Sequence, residues 1–372
     1  MNPFNFDKIA QNDAFCGRQQ ELTKLNQIVL SKNNLVIYGE RRYGKSSLIK
    51  KAFSDFPDTV LPVYVDIYRA VDQYDIALAI YHAVIDAIPF SLEEKIKQIP
   101  KLFTRLNVSM SPSRSGDSIS FKPHIENKTF NDIIEDTLNA ISIVCKNKSL
   151  THAVIAIDEF QQVSKINNIK IDAVLREISQ NHPHVCFIFS GSKKNMLRKL
   201  LNHKQAPWYG MTTPLILKGI EEPAFFDFCR NKLNAKLDRA VFSYLLEVTR
   251  AQTRLVLQVC SRLYADSLTI ITPLDIDRVL LDIIDDYDDE YRHFYMNLPA
   301  RQRNAIMAIG LSNGSNIYSQ SILTELRINK QTLLKALDAL EEAEEIVKLG
   351  EGCYQFYELM LGLWVEHKLM LD

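Results

Sequence analysis

The sequence is short of chain-breaking residues, with Gly 12 and Pro 13 among 372 positions. That scarcity excludes collagen-like and Pro/Gly-rich low-complexity architectures. Cysteines are few, and Cys16, Cys145, Cys186, Cys229, Cys260 and Cys353 form no C-x-x-C pair. No disulfide framework or zinc ribbon is written in that spacing, and reduced thiols in a cytoplasmic setting are expected. The eight histidines show no H-x-x-x-H spacing either. Charge of one sign is missing as well: Lys+Arg 44 against Asp+Glu 45 leaves a formal charge of -1. No overall basic field exists to hold nucleic acid or an anionic membrane, so any nucleic-acid site must be local. The opening MNPFNFDKIAQND lacks a basic stretch followed by an apolar one, and no window of about 18 uncharged apolar residues occurs. Neither a signal peptide nor a membrane partner is expected. What remains is ordinary globular composition, 47% hydrophobic and 24% charged, in a chain long enough for two or three domains.

From Glu21 to Leu30 apolar residues recur at helical spacing, Asn33-Asn34 breaks the pattern, and the apolar run LVIY follows. The alternation continues with a strand near Val60–Val65, a helix through Ile76–Ile88, a strand Ala153–Ile157, a helix Ile171–Gln180 and a strand Val185–Phe189. Continuous apolar strands alternating with helices predict an α/β fold whose parallel sheet is covered on both faces. Residues 103–127 read as a protruding β-hairpin insertion turning at PSRSGD, either a plain surface excursion or a partner-binding element. After Pro214 the strand signals stop, and helical patterns dominate from Glu222 to about Tyr287. The tail offers an amphipathic helix Arg301–Leu311, a shorter helix, the segment QTLLKALDALEE and two strand-like pieces, EIVKL and CYQFY. That order predicts a winged helix. The expected domains are a core over 1–216, a helical subdomain over 217–292 and a winged helix over 293–372.

Gly39-Glu-Arg-Arg-Tyr-Gly44-Lys45-Ser46 matches G-x-x-x-x-G-K-[ST], and it lies between the strand Leu35–Tyr38 and the helical segment SLIKKAF. In that context the motif is a P-loop: glycines let several backbone N–H groups face one point, at the positive end of the following helix. Gly39, Arg42, Tyr43, Gly44, Lys45, Ser46 and Ser47 are the expected phosphate-binding set for ATP, with Lys45 on the β and γ phosphates and Ser46 on Mg²⁺. Arg42, like Arg41, either helps neutralise the triphosphate or faces solvent. The second element is the apolar strand Ala153–Ile157 delivering Asp158 and Glu159 at its C-terminal end, where ligands of open α/β sheets bind. Asp158 is expected to hold the Mg²⁺ hydration shell and Glu159 to polarise the attacking water, although an acidic pair also caps helices. Ser190, at the end of the next apolar strand, either points a hydroxyl at the γ phosphate or forms a cap or turn.

Phe15-Cys-Gly17-Arg18-Gln-Gln-Glu-Leu, YGERRYGKSSL, IDEFQQV, IFSGSKKNML and FYELMLGLW together resemble the archaeal-type ATPases of the STAND/AAA+ superfamily, across nearly the whole chain. The resemblance implies a P-loop core, a helical lid and a C-terminal winged helix, with Gly17 and Arg18 beside the adenine. It also implies tight ATP binding with a change of shape on hydrolysis, and it leaves the oligomeric state, monomer or homo-oligomer, open. Two positions depart from the pattern: Ala251-Gln252-Thr253 stands where relatives carry Gly-x-Pro in the lid, and Met211 follows Tyr209-Gly210 where relatives carry Arg. Two functions fit. One is a slow Mg-ATP-hydrolysing switch; the other is a nucleotide-stabilised DNA-binding or scaffold protein with incidental hydrolysis. Asn329, Lys330, Gln331, Thr332 and Lys335 are residue types that touch DNA, but from Met296 onward ten acidic residues oppose seven basic ones. The winged helix therefore has either DNA or protein as its expected partner.

Overall fold

The computed structural model describes residues 2–112, 119–166, 170–233, 235–343 and 345–370. In chain order the first elements are α1 (Gln19–Leu30), β1 (Asn34–Tyr38), α2 (Lys45–Ser54), β2 (Val60–Asp66), α3 (Gln73–Ala87) and α4 (Leu92–Leu102). There follow β3 (Ser109–Pro112), β4 (Ile119–Lys122), α5 (Phe130–Asn147), β5 (His152–Asp158), α6 (Ile171–Ser179), β6 (Val185–Gly191), α7 (Lys194–Leu197) and β7 (Thr212–Ile216). Five of the strands form one sheet in the order β2-β5-β6-β1-β7, with every pairing parallel. Parallel pairing requires long crossovers, and the helices supplying them cover both faces. On one face Leu61, Val63, Val65, Ile155, Phe187 and Phe189 pack with residues of α3, α5 and α6. On the other, Leu35, Ile37, Val154, Ala156 and Ile188 pack with α1 and α2.

Elements without a counterpart in the sequence reading include α5, α4 and β7. α5 begins with a reciprocal capping box between Thr129 and Asp132 and buries Phe130, Ile133, Ile134, Leu138 and Ile141. α4 likewise begins with a capping box, between Ser91 and Glu94. β7 is an edge strand, the place where Pro214, which has no N–H to donate, does least harm. The hairpin is present as antiparallel β3–β4 with Met110 opposite Phe121, while its predicted turn at PSRSGD lies outside the described residues apart from Pro112. It does not simply protrude: Phe103, Leu106 and Phe121 around its base are buried in the core.

The remaining elements are α8 (Glu222–Lys232), α9 (Arg239–Val248), α10 (Thr253–Ala265), α11 (Pro273–Asp286), α12 (Asp288–Asn297), α13 (Ala300–Leu311), α14 (Gln320–Glu325) and α15 (Lys330–Glu342). They end with β8 (Ile346–Gly350), β9 (Cys353–Phe356) and α16 (Leu359–Trp364). The chain separates into two compact units, one comprising Pro3–Lys232 with Leu246–Leu257 and the other Leu233–Leu245 with Gln258–Asp372. All three divisions between these segments fall inside the stretch read as one helical subdomain. In the second unit β8 and β9 form an antiparallel ribbon after α13–α15, and Trp364 Nε1 donates to Asp288 Oδ1 at 2.7 Å. Asn329 caps α15 by accepting from Thr332 N–H at 2.8 Å. Among the described residues, no helix is long and apolar enough to cross a membrane.

Candidate active site

The C-terminal ends of β1, β5 and β6 converge on one place. β1 ends at Tyr38, and the chain turns through Gly39–Gly44 into α2. Arg42 and Gly44 both lie in the left-handed region, at φ 72° and 88°. A Cβ at Gly44 would meet nothing within 4 Å, so the backbone angle rather than space selects glycine there. Gly39 is constrained differently: a Cβ would lie 3.2 Å from the Leu217 carbonyl oxygen. Lys45 folds back under its own loop, donating to the carbonyls of Gly39 at 2.9 Å and Glu40 at 3.0 Å. Its ammonium is buried, and burial pulls its pKa down against the opposing pull of Glu159 and Asp158.

Asp158 accepts four hydrogen bonds. Ser46 Oγ donates to Oδ2 at 2.5 Å and Tyr64 OH to the same oxygen at 2.7 Å. Ser190 Oγ donates to Oδ1 at 2.5 Å and the Glu159 N–H to Oδ1 at 3.0 Å. The Asp158 side chain is only 3% exposed, and this ring of donors is what lets a carboxylate remain there. Glu159 follows in a left-handed conformation, φ 57°. Its Oε2 accepts from Gln161 Nε2 and, at 3.3 Å, from Ser192 Oγ. Gln161 Oε1 is buried without a hydrogen-bond partner among the described residues, directly against Gly191, where a Cβ would fall 1.9 Å from it.

The residues singled out in the sequence divide by placement. Lys45, Ser46, Asp158, Glu159 and Ser190 come together. Ser190 lies inside β6 and is fully buried, which overturns the alternative of a cap or turn; its hydroxyl is committed to Asp158. Ser47 Oγ accepts from the Ala10 N–H at 3.0 Å. Tyr43 OH donates to the Arg250 carbonyl at 3.3 Å, and burial pushes that phenol up to about 12. Arg18 donates to the carbonyls of Tyr43 at 3.0 Å and Gly219 at 3.4 Å and pairs with Glu21 at 3.0 Å. Its guanidinium thus ties the N-terminal segment to the phosphate loop and to the turn after β7. Gly17 packs beside that turn at φ 62°, and a Cβ would sit 3.0 Å from Ile220 Cγ2. Arg250 and Ala251 are both left-handed, at φ 48° and 50°. Tyr64, Gln161 and Ser192 were missed as members of the site. Gln161 was within reach two positions beyond Glu159, whereas Tyr64 arrives from β2 only through strand register.

Chemically, an exposed-backbone anion cradle at a helix N-terminus stands beside a lysine and an oxygen-only pair, Ser46 and Asp158. Hard divalent cations take oxygen ligands, so these residues fit such an ion. Family comparison agrees with this chemistry. The profile of an ATPase domain found predominantly in Archaea matches residues 15–248. A comparison with curated protein sequences yields no match. Among solved structures, the Walker-type ATPase PABY2304 of Pyrococcus abyssi superposes with a TM-score of 0.66 at 14% identity, over 97% of this chain and 99% of that one. The Aeropyrum pernix ORC2 protein in its ADPNP–ADP complexes gives a TM-score of 0.58 at 11% identity, over 99% of this chain and 98% of that one. The Aeropyrum pernix ORC1 protein in complex with DNA gives 0.50 at 12% identity, over 97% and 94%. At such identities the superpositions establish a common P-loop ATPase fold, and the profile spans more than half of the sequence. The chain therefore belongs to the family of ATPase domains found predominantly in Archaea, and it is a P-loop ATPase.

Proposed function

We propose that this ATPase is a nucleotide-driven switch: Mg²⁺-ATP binds on the loop Gly39–Ser47, is hydrolysed to ADP and phosphate, and the resulting change of shape reaches the C-terminal helices. The observation that carries this reading is the 2.5 Å hydrogen bond from Ser46 to Asp158, which joins the phosphate loop to the β5 carboxylate. Lys45 has two of its three donors on backbone carbonyls, and phosphate oxygens replace those carbonyls with stronger charge-assisted bonds. The Mg²⁺ ion, when bound, neutralises charge on the phosphoryl oxygens. Ser46 would offer it an oxygen lone pair while its own O–H continues to donate to Asp158 Oδ2. Glu159 takes the proton of the attacking water, and Gln161 and Ser192 hold its carboxylate. Arg42, Tyr43, Gly44 and Ser47 shape the cradle; Gly17 and Arg18, by the family pattern, border the adenine, with Arg18 acting through the loops it ties.

In this reading the core spans 1–216, the lid 217–292 and a winged helix 293–372, since three helices followed by an antiparallel ribbon is the winged-helix order. The A. pernix ORC1 neighbour is described in complex with DNA, which motivates a DNA arm of the proposal. The C-terminal unit argues for a protein partner or a further copy of the chain instead. A groove of about 670 Å³ between α15 and the ribbon is lined by Tyr318, Lys330, Glu341, Lys348 and Glu351, among others, so its lysines are matched by carboxylates that repel a phosphate backbone. The test is Glu159→Gln: ATP affinity is retained, and turnover falls by about a hundredfold or more because the amide keeps the shape and loses the base. Equal turnover in variant and parent would remove Glu159 from the mechanism and leave a binding-only protein.

A further inference from the structure

Tyr64 belongs to β2, an edge strand of the sheet, and no motif marks it. Its neighbours Leu61, Val63 and Val65 turn to one face of the sheet, and Tyr64, with Val60, packs on the other, the face covered by α2. Register then places it. Tyr64 pairs with Ala156 and Asp66 with Asp158, so the ring starts two residues short of the carboxylate on the adjacent strand. A tyrosine is long enough to span that interval, and the hydroxyl reaches Asp158 Oδ2 at 2.7 Å. From α2, Ser46 donates to the same oxygen, and one helical turn further Lys50 stands over the Tyr64 ring at 4.6 Å from its centroid. The side chain is therefore held at both ends, and its hydroxyl and that of Ser46 share one carboxylate oxygen.

We infer that Tyr64 is a positioning residue for the divalent cation: by fixing Asp158 Oδ2 beside Ser46, it sets how much Mg²⁺ the protein needs to bind nucleotide tightly. The inference rests on the proposed role of Ser46 and Asp158 in holding Mg²⁺. Without the Tyr64 hydroxyl, Ser46 would be the one remaining donor to Oδ2, while Ser190 and the Glu159 N–H both hold Oδ1, so the direction of Oδ2 would be set less tightly. Partners beyond the direct ligands commonly change metal affinity by about 10- to 100-fold.

The experiment is an equilibrium titration of fluorescently labelled ADP and ATP into the full chain, first in EDTA and then across a MgCl₂ series, for the parent and Tyr64→Phe. The substitution keeps the ring, its packing and the contact with Lys50, and removes only the hydroxyl. The expected result is unchanged affinity in EDTA together with a midpoint in MgCl₂ raised about tenfold. Superimposable MgCl₂ curves would overturn the inference while leaving the nucleotide site intact. An equal loss of affinity in EDTA and in MgCl₂ would also overturn it, because Tyr64 would then be shaping the phosphate loop rather than the cation site. A parent whose nucleotide affinity ignores MgCl₂ overturns both this inference and the reading beneath it.

Discussion

Around Asp158 four donors, from α2, β2, β6 and the residue that follows β5, meet on one carboxylate, whereas in the groove beside α15 the charged groups are spread over an open surface. There Lys330 lies over the Tyr318 ring at 4.9 Å and Lys348 over the Tyr354 ring at 5.9 Å, with the two phenols 3.0 Å apart. The first arrangement fixes atoms to within a hydrogen bond and suits chemistry on a small charged substrate. The second fixes a shape with balanced charge, which suits recognition of a larger partner. On the proposed reading one chain carries two kinds of specificity, and only the first depends on single atoms.

If that contrast is right, substitutions at the sheet end act steeply and substitutions in the groove act weakly on nucleotide chemistry. The largest effect is expected for Lys45→Ala, which removes the ammonium from the cradle and should raise the Kd for ATP by about a hundredfold or more, read by calorimetric titration. Undiminished affinity would break the assignment of the phosphate loop. Next comes Gly191→Ala. The new methyl would fall 1.9 Å from Gln161 Oε1, so Gln161 must leave its place and release Glu159. A loss of about 1–3 kcal/mol in urea unfolding is expected, as for other overpacked cores, together with slower hydrolysis; an unchanged midpoint would show that the site is looser than its bonds imply. The smallest effect is expected for Lys330→Ala combined with Lys335→Ala, which should leave ATP turnover within about twofold and uncover no salt-sensitive DNA affinity to lose. Micromolar or tighter DNA binding by the full chain at physiological salt, lost in that double variant, would instead make DNA the partner.

The same contrast explains what was legible in the sequence. Gly39 through Ser46 announces itself because a phosphate cradle needs fixed residue types at fixed local spacing, and β5 with Asp158 announces itself as an apolar run ending in acid. The alternation of β1, β2, β5 and β6 with helices was readable for the same local reason. Tyr64 was not, because its meeting with Asp158 spans 94 positions and exists only once β2 and β5 are in register. Arg18 shows another limit: family pattern places it beside the adenine, while its guanidinium binds the carbonyls of Tyr43 and Gly219, partners without side-chain identity and so without a sequence signal. β7 escaped because Pro214 disguised an edge strand. α5 carried its signal openly in Thr129, Asp132 and its apolar stripe, and it fell outside a reading focused on the strands around it.

The strand order has a consequence for how the chain is made. β1 pairs with β6 and β7 alone, and about 150 residues separate Tyr38 from Val185. At ribosomal rates of about 5–20 residues per second, β1 waits roughly 7–30 s for its first partner. Through that interval β2 and β5 are able to pair, while β1 keeps both of its edges open. A nascent chain halted between Asp158 and Val185 should therefore be a strong client for chaperones that grip bare strands, and β1 should be where they hold it.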